Sequence, residues 1–222
     1  MTEHIDPKFS RSEDAGVAAM PADAAEVYSV GISTGGVAEI RMAAEAPQAH
    51  IVATTVDEKG VAFARERITE QGVADRIQVK LEDVAQPLAY ADGYFDYVYA
   101  RLVLHYLAKA DLASSLLELY RVLKAGGKLF VVVRSTECPD AMREGVTYDD
   151  ETGLTSCTVH EDDKTYSYSR YFHTQDSISS ALKTAGFSIE SIEQYDEKLF
   201  KDFMRTVPSD FTDNVIQVIA GK

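Results

Sequence analysis

Short apolar runs alternate along the chain with segments in which apolar residues recur every three or four positions. Such runs predict strands, and such recurrences predict amphipathic helices. The runs are Val27–Val30, His50–Val56, Arg76–Lys80, Phe95–Ala100, Lys128–Val133, Phe187–Ile192 and Asn214–Ala220. Because parallel neighbours need crossover connections, the alternation predicts an α/β fold with a doubly wound, Rossmann-like sheet of seven mostly parallel strands and helices on both faces.

Two of the predicted helices have recognisable ends. Asp111 is the expected N-cap of a helix with leucines on one face, and Gly126-Gly127 is its expected stop. Thr174 is the expected N-cap of a later helix that stops at Gly186.

The alternation is interrupted between Arg134 and His173. Leu154–His160 and Thr165–Phe172 are both extended in composition, and the four residues between them suit a hairpin turn. A hairpin inserted after the fifth strand would lie over the carboxyl edge of the sheet. We therefore expect one domain over residues 1–222, with residues 134–173 inserted in it as a substrate cap.

Composition narrows the classes of protein and partner. No apolar run approaches the roughly 20 residues of a membrane span, and the N-terminus lacks the apolar core of a secretory signal. The only cysteines, Cys138 and Cys157, do not make a disulfide framework, so we expect a cytoplasmic protein without a membrane partner. The 22 basic and 36 acidic residues give a net charge of -14, which disfavours nucleic acid.

A glycine-containing turn follows the first predicted strand, within Val27–Gly36. Glycine lets the backbone take a positive φ and lets a ligand approach the main chain without meeting a Cβ atom. In open α/β sheets, ligands lie beyond the carboxyl ends of the strands, where such turns cluster. Asp57 ends the second strand, and Asp83 follows the third, so three chain segments bring candidate ligand-binding groups to the same edge.

This order of parts resembles the class I methyltransferases that use S-adenosylmethionine. The resemblance rests on the turn in Val27–Gly36, on Asp57, on Asp83 followed by Gln86–Asp96, and on Leu119–Leu129 leading into the fifth strand. It implies S-adenosylmethionine as cofactor and S-adenosylhomocysteine as product. The cofactor-binding residues that it implies are Ser29, Gly31, Ser33, Gly35, Asp57, Asp83, Val84 and Arg101.

Within that set, the two carboxylates have separate expected roles. Asp57 would accept hydrogen bonds from both ribose hydroxyls, and Asp83 would accept one from the adenine amino group. The residues alone leave an alternative for each, since Asp57 suits a helix cap and Asp83 suits a turn. Two departures from the family also stand out: Ser29 replaces the usual acidic residue, and Ser33 replaces a second glycine. A catalytically silent relative that only binds ligand is therefore an open alternative.

The acceptor side is constrained less closely. His105 follows the fourth strand, whereas Tyr168 and His173 come from the hairpin and its exit, and these three are the candidate catalytic residues. Each of them also suits simple packing. The base-methylating sequence Asn/Asp-Pro-Pro-aromatic is missing after the fourth strand, and no metal-binding set is evident, so we expect a small-molecule acceptor and no metal.

One further enzyme class shares this arrangement. NAD(P)-dependent oxidoreductases also place a glycine turn after the first strand, and Tyr120-x-x-x-Lys124 imitates a short-chain dehydrogenase. However, Gly-x-Gly-x-x-Gly is missing, and Tyr120 falls on a predicted helix away from the pocket. The oligomeric state is left open.

Overall fold

The computed structural model describes residues 10–32, 34–161, 164–200, 207–209 and 211–222. Its helices are α1 (Arg11–Ala19), α2 (Val37–Glu45), α3 (Glu58–Glu70), α4 (Lys109–Val122) and α5 (Gln175–Thr184). The strands of its larger sheet are β1 (Glu26–Ser29), β2 (His50–Thr55), β3 (Ile77–Leu81), β4 (Phe95–Arg101), β5 (Leu123–Arg134), β9 (Ser188–Glu197) and β10 (Asp213–Gly221). The smaller sheet contains β6 (Thr147–Tyr148), β7 (Thr155–Glu161) and β8 (Lys164–Arg170).

The larger sheet has seven strands in the order β3-β2-β1-β4-β5-β10-β9. Strands β1 to β5 pair in parallel, whereas β10 runs antiparallel to both β5 and β9. The predicted doubly wound, mostly parallel sheet is therefore confirmed. Its first strand lies in the interior of the sheet, and the chain order reverses beside it, which creates a crevice at the carboxyl ends of β1 and β4.

Both faces of the sheet are covered, because alternate residues of the central strands enter two separate cores. Val131 packs in the core that contains α4 and α5, and Val132 packs in the core that contains α1, α2 and α3. Both side chains are fully buried. Burial of such a side chain stabilises the fold by about 1.5 to 3 kcal/mol, which explains why β5 reads as an uninterrupted apolar run.

The helix ends are partly as predicted. Thr174 caps α5 in a capping box with Ser177, as expected. Asp111 is not a cap, since α4 has Ala108 at its N-cap and Asp111 lies in its first turn. The predicted stop at Gly126-Gly127 is also wrong, because α4 ends at Val122 and the chain passes directly into β5.

The inserted segment forms the predicted hairpin and one additional strand. β7 and β8 pair antiparallel from Thr155 opposite Arg170 to Glu161 opposite Lys164, and residues 162 and 163 of the expected turn lie outside the described part. β6 was missed because a strand of two exposed residues has no readable alternation. No helix in the described ranges is long and apolar enough to cross a membrane.

Candidate active site

A cavity of about 510 Å³ opens at the carboxyl ends of the first three strands. This volume suits a cofactor-sized ligand. The turn after β1 and the ends of β2 and β3 form one side, where Gly31, Thr54, Thr55, Glu82, Asp83 and Val84 line the wall. The segment after β4 forms the other side with Leu102, Val103, Tyr106 and Leu107. The cavity therefore lies where open α/β sheets bind their ligands.

Gly31 allows the turn after β1 to lie against the opposite wall. Its φ is +69°, and an added Cβ atom would lie 2.7 Å from Cγ2 of Val103. Both the dihedral angle and the close approach therefore require glycine at this position. Gly35 also has a positive φ, at 72°, but it precedes α2 and does not line the cavity. Ser33, predicted to bind the cofactor, lies outside the described residues.

Ser29 ties β1 to α2 and does not line the cavity. Its hydroxyl donates a hydrogen bond to Oε1 of Glu39 at 2.5 Å, and both side chains are fully buried. The carboxylate that the sequence lacks at the end of β1 is thus supplied by the following helix. Sequence reasoning missed Glu39, although an acidic residue between buried positions of a helix was the available signal.

Asp57 adopts the alternative role that its position left open. It is the N-cap of α3, where its Oδ1 accepts a hydrogen bond from the Lys59 amide at 3.0 Å. The side chain is exposed and does not line the cavity. The β2 residues that do line it are Thr54 and Thr55, so the predicted ribose acceptor is absent from the wall.

Asp83 and Val84 lie in the cavity wall, where the sequence predicted them. Asp83 also closes its own turn, since its Oδ1 accepts a hydrogen bond from the Ala85 amide at 3.0 Å. The prediction that it accepts from an adenine amino group remains a prediction. Its turn role and its place in the wall are compatible, because an ionised carboxylate has about four acceptor positions.

Glu82 is a wall residue that the sequence reasoning missed. Its Oε1 accepts hydrogen bonds from the hydroxyls of Tyr28 at 2.7 Å and Tyr90 at 3.1 Å, and its Oε2 accepts from Tyr90 at 3.1 Å. Burial and the adjoining Glu82 carboxylate raise the pKa of both tyrosines, so they stay protonated and donate. Since Lys, Arg and His are missing from the described lining, Glu82 and Asp83 make the cavity anionic.

Arg101 was predicted to bind the cofactor, but the structure places its guanidinium elsewhere. The Nε atom donates to the Ser12 hydroxyl at 2.6 Å, and Nη2 donates to the Ser10 hydroxyl at 2.7 Å. Glu197 lies 3.8 Å from the same guanidinium. Arg101 therefore fastens the start of α1 to the far side of the sheet and does not line the cavity.

None of the three candidate catalytic residues lines the cavity. His105 is buried in a short 3-10 turn, Leu104–Tyr106, whose Tyr106 does reach the wall. His173 follows β8, and its Nδ1 lies 3.3 Å from the Ser177 hydroxyl. Neither ring nitrogen of His105, nor Nε2 of His173, has a hydrogen-bond partner among the described residues.

Burial makes both imidazoles neutral at physiological pH. Desolvation, followed by the charges of Arg134 and Arg170, holds the pKa of His105 well below its ordinary value. Desolvation lowers the pKa of His173 to about 4. Burial, then a hydrogen bond with Cys157, raises the pKa of Tyr168, which therefore remains a protonated phenol. The two imidazoles can exchange a proton only with a partner that reaches their buried ring nitrogens.

Asp140 holds the hairpin against the sheet. This buried carboxylate pairs with Arg134 at the end of β5, at 3.4 Å, and with Arg143, at 2.9 Å. It also pairs with Arg170 at the end of β8. Three guanidinium groups from different segments thus meet on one carboxylate, and this fixes the hairpin beside His105.

The sheet order, with its reversed strand β10, defines a Rossmann-like fold that solved S-adenosylmethionine-dependent methyltransferases share. Residues 28–131 match the family model described as a methyltransferase domain. This match spans a little under half of the chain, and together with the shared fold it supports the predicted class I S-adenosylmethionine-dependent methyltransferase. The predicted enzyme class is thereby confirmed, and the oxidoreductase alternative is set aside.

Curated relatives point in the same direction. A demethylmenaquinone methyltransferase from Bacteroides fragilis is 25% identical over 169 residues, which cover 73% of this chain and 67% of the relative. A ubiquinone/menaquinone biosynthesis C-methyltransferase from Hydrogenovibrio crunogenus is 33% identical over 82 residues, which cover 37% of this chain and 31% of the relative. Together with the family match, they support methyl transfer to small molecules.

Solved structures share the fold. The CcbJ methyltransferase from Streptomyces caelestis has a TM-score of 0.70 at 16% identity, over 96% of this chain and 94% of that one. An S-adenosylmethionine-dependent methyltransferase from Mesorhizobium loti has a TM-score of 0.63 at 18% identity, over 95% and 98% of the two chains. At such identities the likeness concerns the fold alone.

Proposed function

We propose that the cavity at the ends of β1, β2 and β3 binds S-adenosylmethionine and releases S-adenosylhomocysteine. The observation that carries this proposal is the chemistry of the wall: threonine hydroxyls and two carboxylates, Glu82 and Asp83, set between apolar side chains. Adenosine offers a flat apolar ring together with amino and hydroxyl donors, and the sulfonium carries a positive charge. The same wall suits a pyrophosphate poorly, since the described lining has no cation to neutralise it.

The protein's contribution to methyl transfer is chiefly positional. When bound, S-adenosylmethionine supplies the electrophilic methyl group, and the displacement needs the acceptor atom in line with it. Val103, Tyr106 and Leu107 form the wall on the side of the hairpin, so they would exclude water where the acceptor enters. We propose the segment 134–173 as the cap that completes this acceptor site.

His105, His173 and Tyr168 are proposed as the residues that handle the acceptor's proton. Both imidazoles are neutral and have ring nitrogens without a described partner, so either can accept a hydrogen bond from a hydroxyl or amine of the acceptor, and the lowered pKa of each makes it a weak base. We place the acceptor among small molecules, in keeping with the relatives named for quinone biosynthesis, without transferring the quinone itself to this chain.

We also propose a cytoplasmic location and no nucleic-acid partner. Cys138 and Cys157 are free and buried, which suits a reducing cytoplasm. The net charge of -14 disfavours a nucleic-acid partner.

Calorimetric titration of the purified protein tests the central proposal. We expect S-adenosylhomocysteine to bind with one site per chain and NADH not to bind. A silent relative would bind S-adenosylhomocysteine but transfer no labelled methyl group to any acceptor in a metabolite extract. Failure of S-adenosylhomocysteine to bind would reject the cavity as the cofactor site.

A further inference from the structure

Glu82 is positioned as a ligand-binding carboxylate by its own hydrogen bonds. The hydroxyls of Tyr28 and Tyr90 both donate to it. Tyr28 is fully buried, and its ring packs against Tyr90 with ring centroids 5.5 Å apart. A carboxylate offers about four acceptor positions, and the two tyrosines donate only two protons, since the single Tyr90 proton is shared between both oxygens, so about two positions remain for a ligand. The side chain is therefore preorganised and still able to accept.

Its position is adjacent to the end of β2. The Glu82 amide donates to the Thr55 carbonyl at 3.0 Å, which continues the β2–β3 ladder in which Thr55 lies opposite Leu81. Thr55 and Glu82 both line the cavity, whereas Asp57 is exposed at the cap of α3. The carboxylate nearest the end of β2 in the wall thus comes from the neighbouring strand.

We propose that Glu82, and not Asp57, is the carboxylate that receives the ribose hydroxyls of the cofactor. The inference rests on the proposed cofactor site and names a specificity-determining residue within it. Two vicinal hydroxyls are donors, and an ionised carboxylate accepts from both without reorienting when other donors already hold it. Tyr90 acts as a positioning residue, because its hydroxyl contacts both oxygens of Glu82. The carboxylate that accepts from the ribose hydroxyls would then follow β3 and not β2.

Titration calorimetry with two probes tests the assignment: S-adenosylhomocysteine and its 2′-deoxy form. The variants are Glu82→Gln and, as the matched control, Asp57→Asn. Both changes replace a carboxylate by an amide of equal shape, and asparagine remains a good N-cap. We expect wild-type protein to prefer S-adenosylhomocysteine. Glu82→Gln should weaken that binding about tenfold or more and remove the preference, because a charged acceptor is lost.

The control and the fold check separate the outcomes. Asp57→Asn should keep both the affinity and the preference. The assignment is overturned if Asp57→Asn removes the preference while Glu82→Gln keeps it, or if Glu82→Gln weakens both probes equally. If Glu82→Gln does not fold by thermal melting, Glu82→Asp, which withdraws the charge by one methylene, should show the same selective loss. If wild-type protein binds neither probe, the cofactor site itself is rejected, whatever the variants do.

Discussion

The Ser29 hydroxyl and the Glu39 carboxylate lie 2.5 Å apart, with both side chains fully buried between β1 and α2. A serine at the end of β1 is therefore not simply a missing acid. The helix supplies the acid, and the serine supplies a donor to the buried carboxylate.

Restoring an acid at Ser29 should destabilise the fold. Ser29→Asp places a second carboxylate against buried Glu39, and an uncompensated buried charge costs about 3 to 5 kcal/mol. Urea unfolding measures the loss in the free energy of unfolding. The double variant Ser29→Asp with Glu39→Gln should recover much of it, since only one charge remains. A Ser29→Asp protein as stable as the wild type would contradict this account of the pair.

Gly31 and Gly72 form a matched pair for separating backbone strain from steric contact. Their φ values are +69° and +70°, but a Cβ atom would meet Val103 at Gly31 and nothing within 4 Å at Gly72. Gly72→Ala should cost about 1 to 2 kcal/mol for the positive φ alone. Gly31→Ala should cost more and should also weaken S-adenosylhomocysteine binding, as judged by urea unfolding and calorimetry. Equal losses in the two variants would show that the Val103 contact is unimportant.

Stability should fall as the pH drops from neutrality, in part through His173. Its pKa is about 4 when folded against an ordinary value of 6.5, so the unfolded chain binds this proton first. The stabilisation is present above pH 6.5 and is lost as the pH falls towards 4. Its full size is on the order of 3 kcal/mol.

Urea unfolding at several pH values between 4 and 7 measures this effect. His173→Gln should flatten the dependence, although His105 will leave a residual slope in the same direction. His50→Gln is the control, because the His50 side chain is 64% exposed. The His50 control should keep the wild-type slope. The prediction is wrong if the His173 variant keeps that slope as well.

Removing most of the hairpin should separate cofactor binding from methyl transfer. Replacing residues 151–169 with a short glycine-serine linker leaves the cavity wall and the Arg170–Asp140 pair in place. We expect S-adenosylhomocysteine binding within about threefold of wild type and loss of transfer to any acceptor identified, because the cap is gone. If the protein unfolds, the hairpin belongs to the core. If transfer survives, the acceptor is recognised elsewhere.

The fold was largely predictable because the spacing of apolar residues along each element matches the side of that element that is buried. Both faces of β5 are covered, so its residues had to be apolar, and the alternation with helices followed from the parallel pairing. Helix starts were less predictable. Asp111 and Thr174 both suit an N-cap, but the helix dipole also favours an acid in the first turn. The sequence pattern therefore does not show whether Asp111 is the N-cap or a first-turn residue.

The site was predictable only to the level of the sheet edge. Whether a carboxylate after a strand enters the cavity or caps the next helix depends on a shift of one or two residues. That shift put Asp57 on α3 and left Thr55 in the wall. Glu82 was overlooked beside Asp83, since a motif does not say which of two adjacent acids faces the ligand. Arg101 turned away because serines of α1, distant in sequence, offered its guanidinium acceptors.

The acidic lining of the cavity has a consequence for turnover. Under the proposed function, the cofactor enters as a sulfonium cation and leaves as a neutral thioether. Glu82 and Asp83 attract the first form and lose that Coulombic attraction once the methyl group has gone. The wall would then hold the methyl donor more firmly than the spent product, so the transfer itself would loosen the product and clear the site for the next cycle.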